Sequence, residues 1–219
     1  MTEAEWLACD DPKRMLEFLR GRASDRRLRL IAVACCRLLL CKVRVPSRCE
    51  HEVDVAERYA DGMATIAELQ DVRCYSNSVA EHACMNTTEA DGGVVMADCA
   101  AGNAAWAAAA SGAVPPQSNA LSPVFNARVA AEQAVQCDLV RDIFGNPFRP
   151  VTADSFWFTS TVVSLAGGIY AERAFDRLPL LADPLQDAGC DNPDVLAHCR
   201  GPGPHVRGCW VIDLLLGKS

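Results

Sequence analysis

Aromatic residues make up only 6% of this 219-residue chain, so one of the usual materials of β-sheet is scarce. Strands favour β-branched and aromatic side chains, whereas this sequence is rich in Ala and Leu, both strong helix formers. No stretch alternates apolar and polar residues for long enough to specify a half-buried strand. No glycine loop of Walker or Rossmann type is present, which removes the argument for a phosphate-cradling nucleotide site. The twelve cysteines include no Cys-x-x-Cys pair, the tight spacing that zinc knuckles use. The longest apolar run, Leu28 to Cys41, is too short for a bilayer and is interrupted by Arg29 and Arg37. The opening Met1-Thr2-Glu3-Ala4-Glu5 is acidic and lacks an apolar signal core. These absences predict a cytoplasmic protein with no membrane span, whose cysteines stay reduced and act mainly as small apolar residues.

What is present is half apolar and 22% charged, an ordinary globular balance. The net charge of -7 is unevenly spread. Residues 1–50 hold 11 Lys and Arg against 7 Asp and Glu, and the rest of the chain is strongly acidic. That balance argues against a general nucleic-acid binder while leaving room for a local anion site near the start.

Helix punctuation is dense. Thr2-x-x-Glu5, Ser47-x-x-Glu50 and Thr65-x-x-Glu68 are capping boxes, in which a hydroxyl and a carboxylate satisfy orphan N–H groups. Asp11-Pro12, Ser122-Pro123 and Asn192-Pro193 place a cap before a proline at the first helical position. Ser24 opens a long helix over 25–43, the second half of the first region carries an Ala-rich helix over 94–110, and Gly145 closes a helix that begins at Ser122-Pro123. Further helices are expected over 159–174, 177–188, 193–200 and 205–216. The predicted fold is all-α, a bundle of about nine to eleven helices. It divides into an N-terminal bundle over 1–111, a linker at 112–122 and a C-terminal helical domain over 123–219. The two helical subdomains are expected to pack together, since their Ala-rich faces would otherwise stay wet.

The most distinctive residues lie in the last third, from Ala197 to Trp210. His198, Cys199, Arg200, His205, Arg207 and Cys209 flank the hinge Gly201-Pro202-Gly203-Pro204. Together with Phe144-Gly145-Asn146-Pro147-Phe148-Arg149-Pro150-Val151 and Ile169-Tyr170-Ala171-Glu172-Arg173-Ala174-Phe175-Asp176-Arg177-Leu178-Pro179, this tail resembles a paralogous family of planctomycete bacterial proteins. The resemblance covers residues 1–60 and 138–217 and is poor between them. It implies a shared tail and carries no activity with it. The chain departs from the family pattern at Pro184, where a helix former such as Ala is expected. A proline in a helix interior costs ~3 kcal/mol, so the 177–188 helix should kink or split.

Three constellations could carry chemistry. Cys190, His198, His205 and Cys209, with Cys199 nearby, are the right residue types for zinc, and His205 and Cys209 would share a face of the last helix. The plainer reading makes the cysteines buried small residues beside Trp210. His205, Cys209 and Asp213 would also form one stripe on that helix, a Cys-His-Asp set. Steps of four rise ~6 Å along a helix, which stretches such a set too far to work as a triad. Finally, Arg26, Arg29, Arg37 and Arg44 fall within about 80° on the 25–43 helix and could face phosphate or RNA. Pairing with acids of neighbouring helices, such as Glu50, Glu52, Asp54 and Glu57, is the favoured alternative.

The sequence favours an architectural tail. Gly201, Pro202, Gly203 and Pro204 should turn the chain between two helices, with Trp210 laid against the 159–174 and 177–188 helices. His198 and His205 should meet carbonyls or carboxylates at helix ends. The expected function is that of a non-catalytic helical interaction or scaffold protein, with a protein partner or self-association and no cofactor. The alternatives are a nucleic-acid or polyanion binder using the Arg face, and a metal or hydrolytic site, zinc being the metal, in the His/Cys tail.

Overall fold

The structure, a computed structural model, describes residues 1–42, 47–72 and 123–218. All regular structure among the described residues is helical: ten α-helices and two short 3-10 helices. None of these helices is long and apolar enough to cross a membrane. The chain forms two compact units, Met1–Val140 and Arg141–Ser219. The expected Ala-rich helix over 94–110 and the linker at 112–122 lie outside the described residues.

In the first unit the caps at Thr2, Asp11 and Thr65 form as their spacing predicts. Helix α1 (Glu3–Ala8) opens on the Thr2/Glu5 capping box, with both reciprocal hydrogen bonds present. Asp11 caps α2 (Pro12–Leu19), accepting from the Lys13 N–H, and Pro12 takes the first helical position. Thr65 and Glu68 close a third box at the start of α5 (Ile66–Val72). The unit is centred on α3 (Asp25–Lys42), which packs along α4 (Ser47–Ala60). Opposite the Arg face, the apolar stripe Leu28, Ile31, Cys35 and Leu38 is buried except for Leu38, which is half-buried, and Leu30, Ala32, Val33, Ala34 and Cys36 are buried as well. The middle of α3 is therefore enclosed on every side, which its small residues permit.

The second unit begins in the last turn of α6 (Pro123–Phe144). Gly145 stops this helix in the left-handed region at φ +65°, with its N–H on the Arg141 carbonyl at 2.8 Å. Helix α7 (Ser160–Glu172) is capped by Thr159, whose hydroxyl accepts from the Val162 N–H. The expected 177–188 helix is split. A 3-10 helix over Phe175–Leu181 gives way to α8 (Ala182–Asp187). Pro184 falls in the first turn of α8, where its missing N–H removes no intrahelical bond. Asn192 caps α9 (Pro193–Arg200) through the Asp194 and Val195 N–H groups.

The last helix corrects an expectation. It runs from Trp210 to Leu216 as α10 and does not begin at 205. Residues 201–209 are instead an irregular strap, closed by a turn in which Gly208 sits at φ +95° and the Cys209 N–H meets the Val206 carbonyl at 2.9 Å. Helix α10 buries Val211, Ile212 and Leu215 and packs on α7. The strap is pinned at its centre by Arg207. Its guanidinium lies 4.5 Å from the Tyr170 ring centre and donates to the Tyr170 carbonyl at 3.0 Å.

Candidate metal centre

The end of α6 and the strap meet in a cluster of four side chains. Asp142, His198, His205 and Cys209 each offer one donor atom, and the four atoms lie within 4.8 Å of one another. All come from the second unit. Asp142 stands in the last turn of α6, His198 on α9, His205 in the strap, and Cys209 immediately before α10.

The local chain explains each placement. Gly145 ends α6 just beyond Asp142, so the carboxylate sits where the helix leaves its carbonyls unpaired. Negative charge is disfavoured at that end by the helix dipole. A buried carboxylate there, only 3% exposed, needs positive partners. His205 reaches it because Gly203 takes φ +81°: a Cβ at position 203 would lie 2.9 Å from the His205 backbone nitrogen. Gly145 serves a second purpose, since a Cβ there would lie 3.2 Å from the Trp210 ring. That ring in turn lies 5.2 Å, centre to centre, from the His198 imidazole.

The donor atoms converge. His205 Nδ1 lies 2.7 Å from Asp142 Oδ1. His198 Nε2 lies 3.1 Å from that same oxygen and 3.1 Å from Cys209 Sγ. Two further polar atoms of these side chains meet the backbone. Asp142 Oδ2 accepts from the Val206 N–H at 2.9 Å, and His205 Nε2 faces the Gly201 carbonyl at 3.4 Å. This is how ligating side chains are commonly oriented: the spare ring nitrogen or oxygen is fixed by the backbone, so that the other atom points at the ion.

The electrostatics fit a cation. Burial drives the Asp142 carboxyl upward, but hydrogen bonds and charge from His198 and His205 outweigh it, and the group is held below its usual range. Cys209 is fully buried, and burial together with the Asp142 charge pushes its thiol well above the ordinary value. The Val211 and Ile212 N–H groups pull the sulfur the other way. Without a cation the sulfur therefore keeps its proton, which makes it a poor nucleophile. Nor do the contacts form a triad. In a nucleophile–base–acid chain the imidazole meets its two partners through different nitrogens, whereas His198 turns Nε2 to both.

The residues singled out from the sequence are distributed as follows. His198, His205 and Cys209 come together, but through a strap and not along one helix face. Cys190 stays apart, buried in the apolar core with Val195 and Cys199, and Asp142 takes the fourth place. Asp213 is buried on α10 outside the cluster, so the helical Cys-His-Asp stripe is not formed. Cys190, Cys199 and Cys209 are thiols, not disulfides.

In the first unit, Arg26 pairs with Asp61 at 2.9 Å, and Arg37 pairs with Asp54 at 2.6 Å and Glu57 at 3.1 Å. Arg29 lies 3.8 Å from Asp25, its guanidinium 5.2 Å from the Tyr59 ring centre. Arg44 lies outside the described residues. The charge of Arg26 and Arg37 is thus balanced within their own unit.

Gly203 supplies a direct check on the cluster. The change Gly203→Ala should cost about 2 kcal/mol through left-handed strain and the contact with His205. Should the cluster hold a metal ion, the same change would weaken its binding by roughly 10–100-fold, the usual effect of disturbing a ligand's support. Urea unfolding and a competitive zinc titration measure the two effects, and an unchanged affinity would show that His205 is not positioned by this turn.

Compared with protein-family models, curated proteins and solved structures, the chain matches none of them.

Proposed function

We propose that this is a non-catalytic helical protein whose C-terminal unit binds a divalent metal ion, and that the ion braces the fold. The observation that carries this reading is the convergence of four donors of suitable type on one point, with Asp142 Oδ2 and His205 Nε2 tied back to the backbone. The ion would join the end of α6, the end of α9, the strap through His205 and the start of α10. A site of this kind contributes folding energy directly, because the unfolded chain does not hold the ligands together.

The non-catalytic half rests on the burial of Cys209 and on the lack of a relay through His198. The protein's work is then done by surface, through a protein partner or a second copy. Phe156, 75% exposed, and Leu180, 61% exposed, are apolar residues the braced unit presents. The thiols of Cys190, Cys199 and Cys209 suit a reducing compartment, which supports a cytoplasmic location.

Equilibrium unfolding of the full chain with zinc and with a chelator tests the reading. At zinc near a thousand times its dissociation constant, linkage predicts a stabilisation of ~4 kcal/mol that the chelator removes. Superimposable curves in the two conditions would rule the brace out.

A further inference from the structure

The donor set also selects its ion. It offers one sulfur, two imidazole nitrogens and one carboxylate oxygen. The carboxylate presents Oδ1 to the cluster, while Oδ2 accepts from the Val206 N–H. His205 gives Nδ1, and His198 gives Nε2. The protein therefore supplies four single-pointed donors.

Zinc bonds of ~2.0–2.3 Å in a tetrahedron set the donors ~3.3–3.8 Å apart. Three of the six donor–donor distances, 2.7, 3.1 and 3.1 Å, lie just inside that spacing, and none of the six exceeds 4.8 Å, so both outward and inward shifts of about 1 Å or less bring the donors to it. Mg2+ and Ca2+ ask for about six or more oxygens, and this site has one to give. Charge narrows the choice further. A thiolate and a carboxylate neutralise a divalent ion, so the buried centre is neutral. A monovalent or trivalent ion would leave a net charge in a region where Asp142 and Cys209 are at most 3% exposed.

Resting on the metal-binding reading, we infer that the site takes a four-coordinate ion of the zinc class, with Cys209 as a sulfur ligand and every coordination position filled by the protein. No position remains for a substrate or an exchangeable water. The ion is thus structural, in contrast to catalytic zinc with its open fourth place.

Cobalt(II) added to the metal-free full chain tests this. The expected spectrum shows the intense visible bands of a tetrahedral ion and a near-ultraviolet sulfur-to-cobalt charge-transfer band. Zinc should abolish both stoichiometrically, and Mg2+ or Ca2+ should not do so at ~1,000-fold excess. Cys209→Ser should lose the charge-transfer band. Azide, which binds open metal positions, should leave the wild-type spectrum unchanged. Cobalt bound with weak octahedral bands, a spectrum lacking charge transfer, or one that shifts with azide would overturn the closed centre while leaving metal binding intact. A chain that takes up neither cobalt nor zinc would overturn the metal reading itself, and this inference with it.

Discussion

Asp142→Asn should lower the stability of the zinc-loaded protein by about 3–4 kcal/mol, the scale seen when one partner of a buried charged pair is removed. The substitution keeps the size of the side chain and removes its charge. Its amide can accept through one atom only, whereas Asp142 now faces His205 and His198 through Oδ1 and the Val206 N–H through Oδ2. With its oxygen on the Val206 N–H the amide offers N–H groups to the imidazoles, and only an unprotonated ring nitrogen can accept them; turned the other way, it sets an N–H against that of Val206. The amide is also a weak metal ligand, so the divalent ion would lose half its compensating charge. In chelator the same substitution should cost less, ~1–3 kcal/mol, because the contacts with the two imidazoles and the Val206 N–H are then at stake and the ion is not. The comparison of the two gaps is the informative quantity. Equal losses with zinc and with chelator would mean that Asp142 serves only the two imidazoles.

Trp210→Ala should cost about 3 kcal/mol, at the lower end for a large aromatic because Trp210 is only partly buried. Its ring fills the space above Gly145 and stands beside His198. Removing it leaves a cavity beneath the strap and frees the His198 ring to turn. Zinc affinity should therefore fall by roughly tenfold, as when a ligand loses its support. Denaturant unfolding gives the first number and competition with a chromophoric chelator the second. A loss under about 1 kcal/mol with unchanged affinity would make the ring a surface feature with no part in the centre.

The helices were largely legible because their signals are local. A hydroxyl three residues before a glutamate, or an aspartate before a proline, fixes a helix start regardless of what packs around it. Thr2, Asp11, Thr65 and Asn192 all cap as their spacing indicates. Pro184 was informative for the same reason, and it marked the split that the 3-10 segment resolves.

The strap was not legible. A helix over 205–216 is reasonable from composition, but Gly208 at φ +95° and the Arg207–Tyr170 contact hold residues 201–209 out of it. That difference moves His205 from a helix face into the irregular strap and replaces a stretched stripe with a compact cluster. Asp142 was missed because it lies 56 residues before His198 and resembles any acid on a solvated helix. The available signal was its place in the last turn before Gly145, where the helix dipole disfavours an acid. Cys190 was included because it is near in sequence, although its surroundings, Val195 and Cys199, are those of a core residue. The paired Arg26 and Arg37 followed from charge balance alone: a basic helix within an acidic chain finds its acids close by.

Metal analysis of the full chain, purified without chelator and dialysed against zinc, tests the account most directly. It predicts one zinc ion per chain in the wild type, retained through gel filtration, and none in a chain carrying both Asp142→Asn and His205→Gln. A folded wild-type chain that emerges metal-free, or one that binds zinc equally well with both residues replaced, would contradict it.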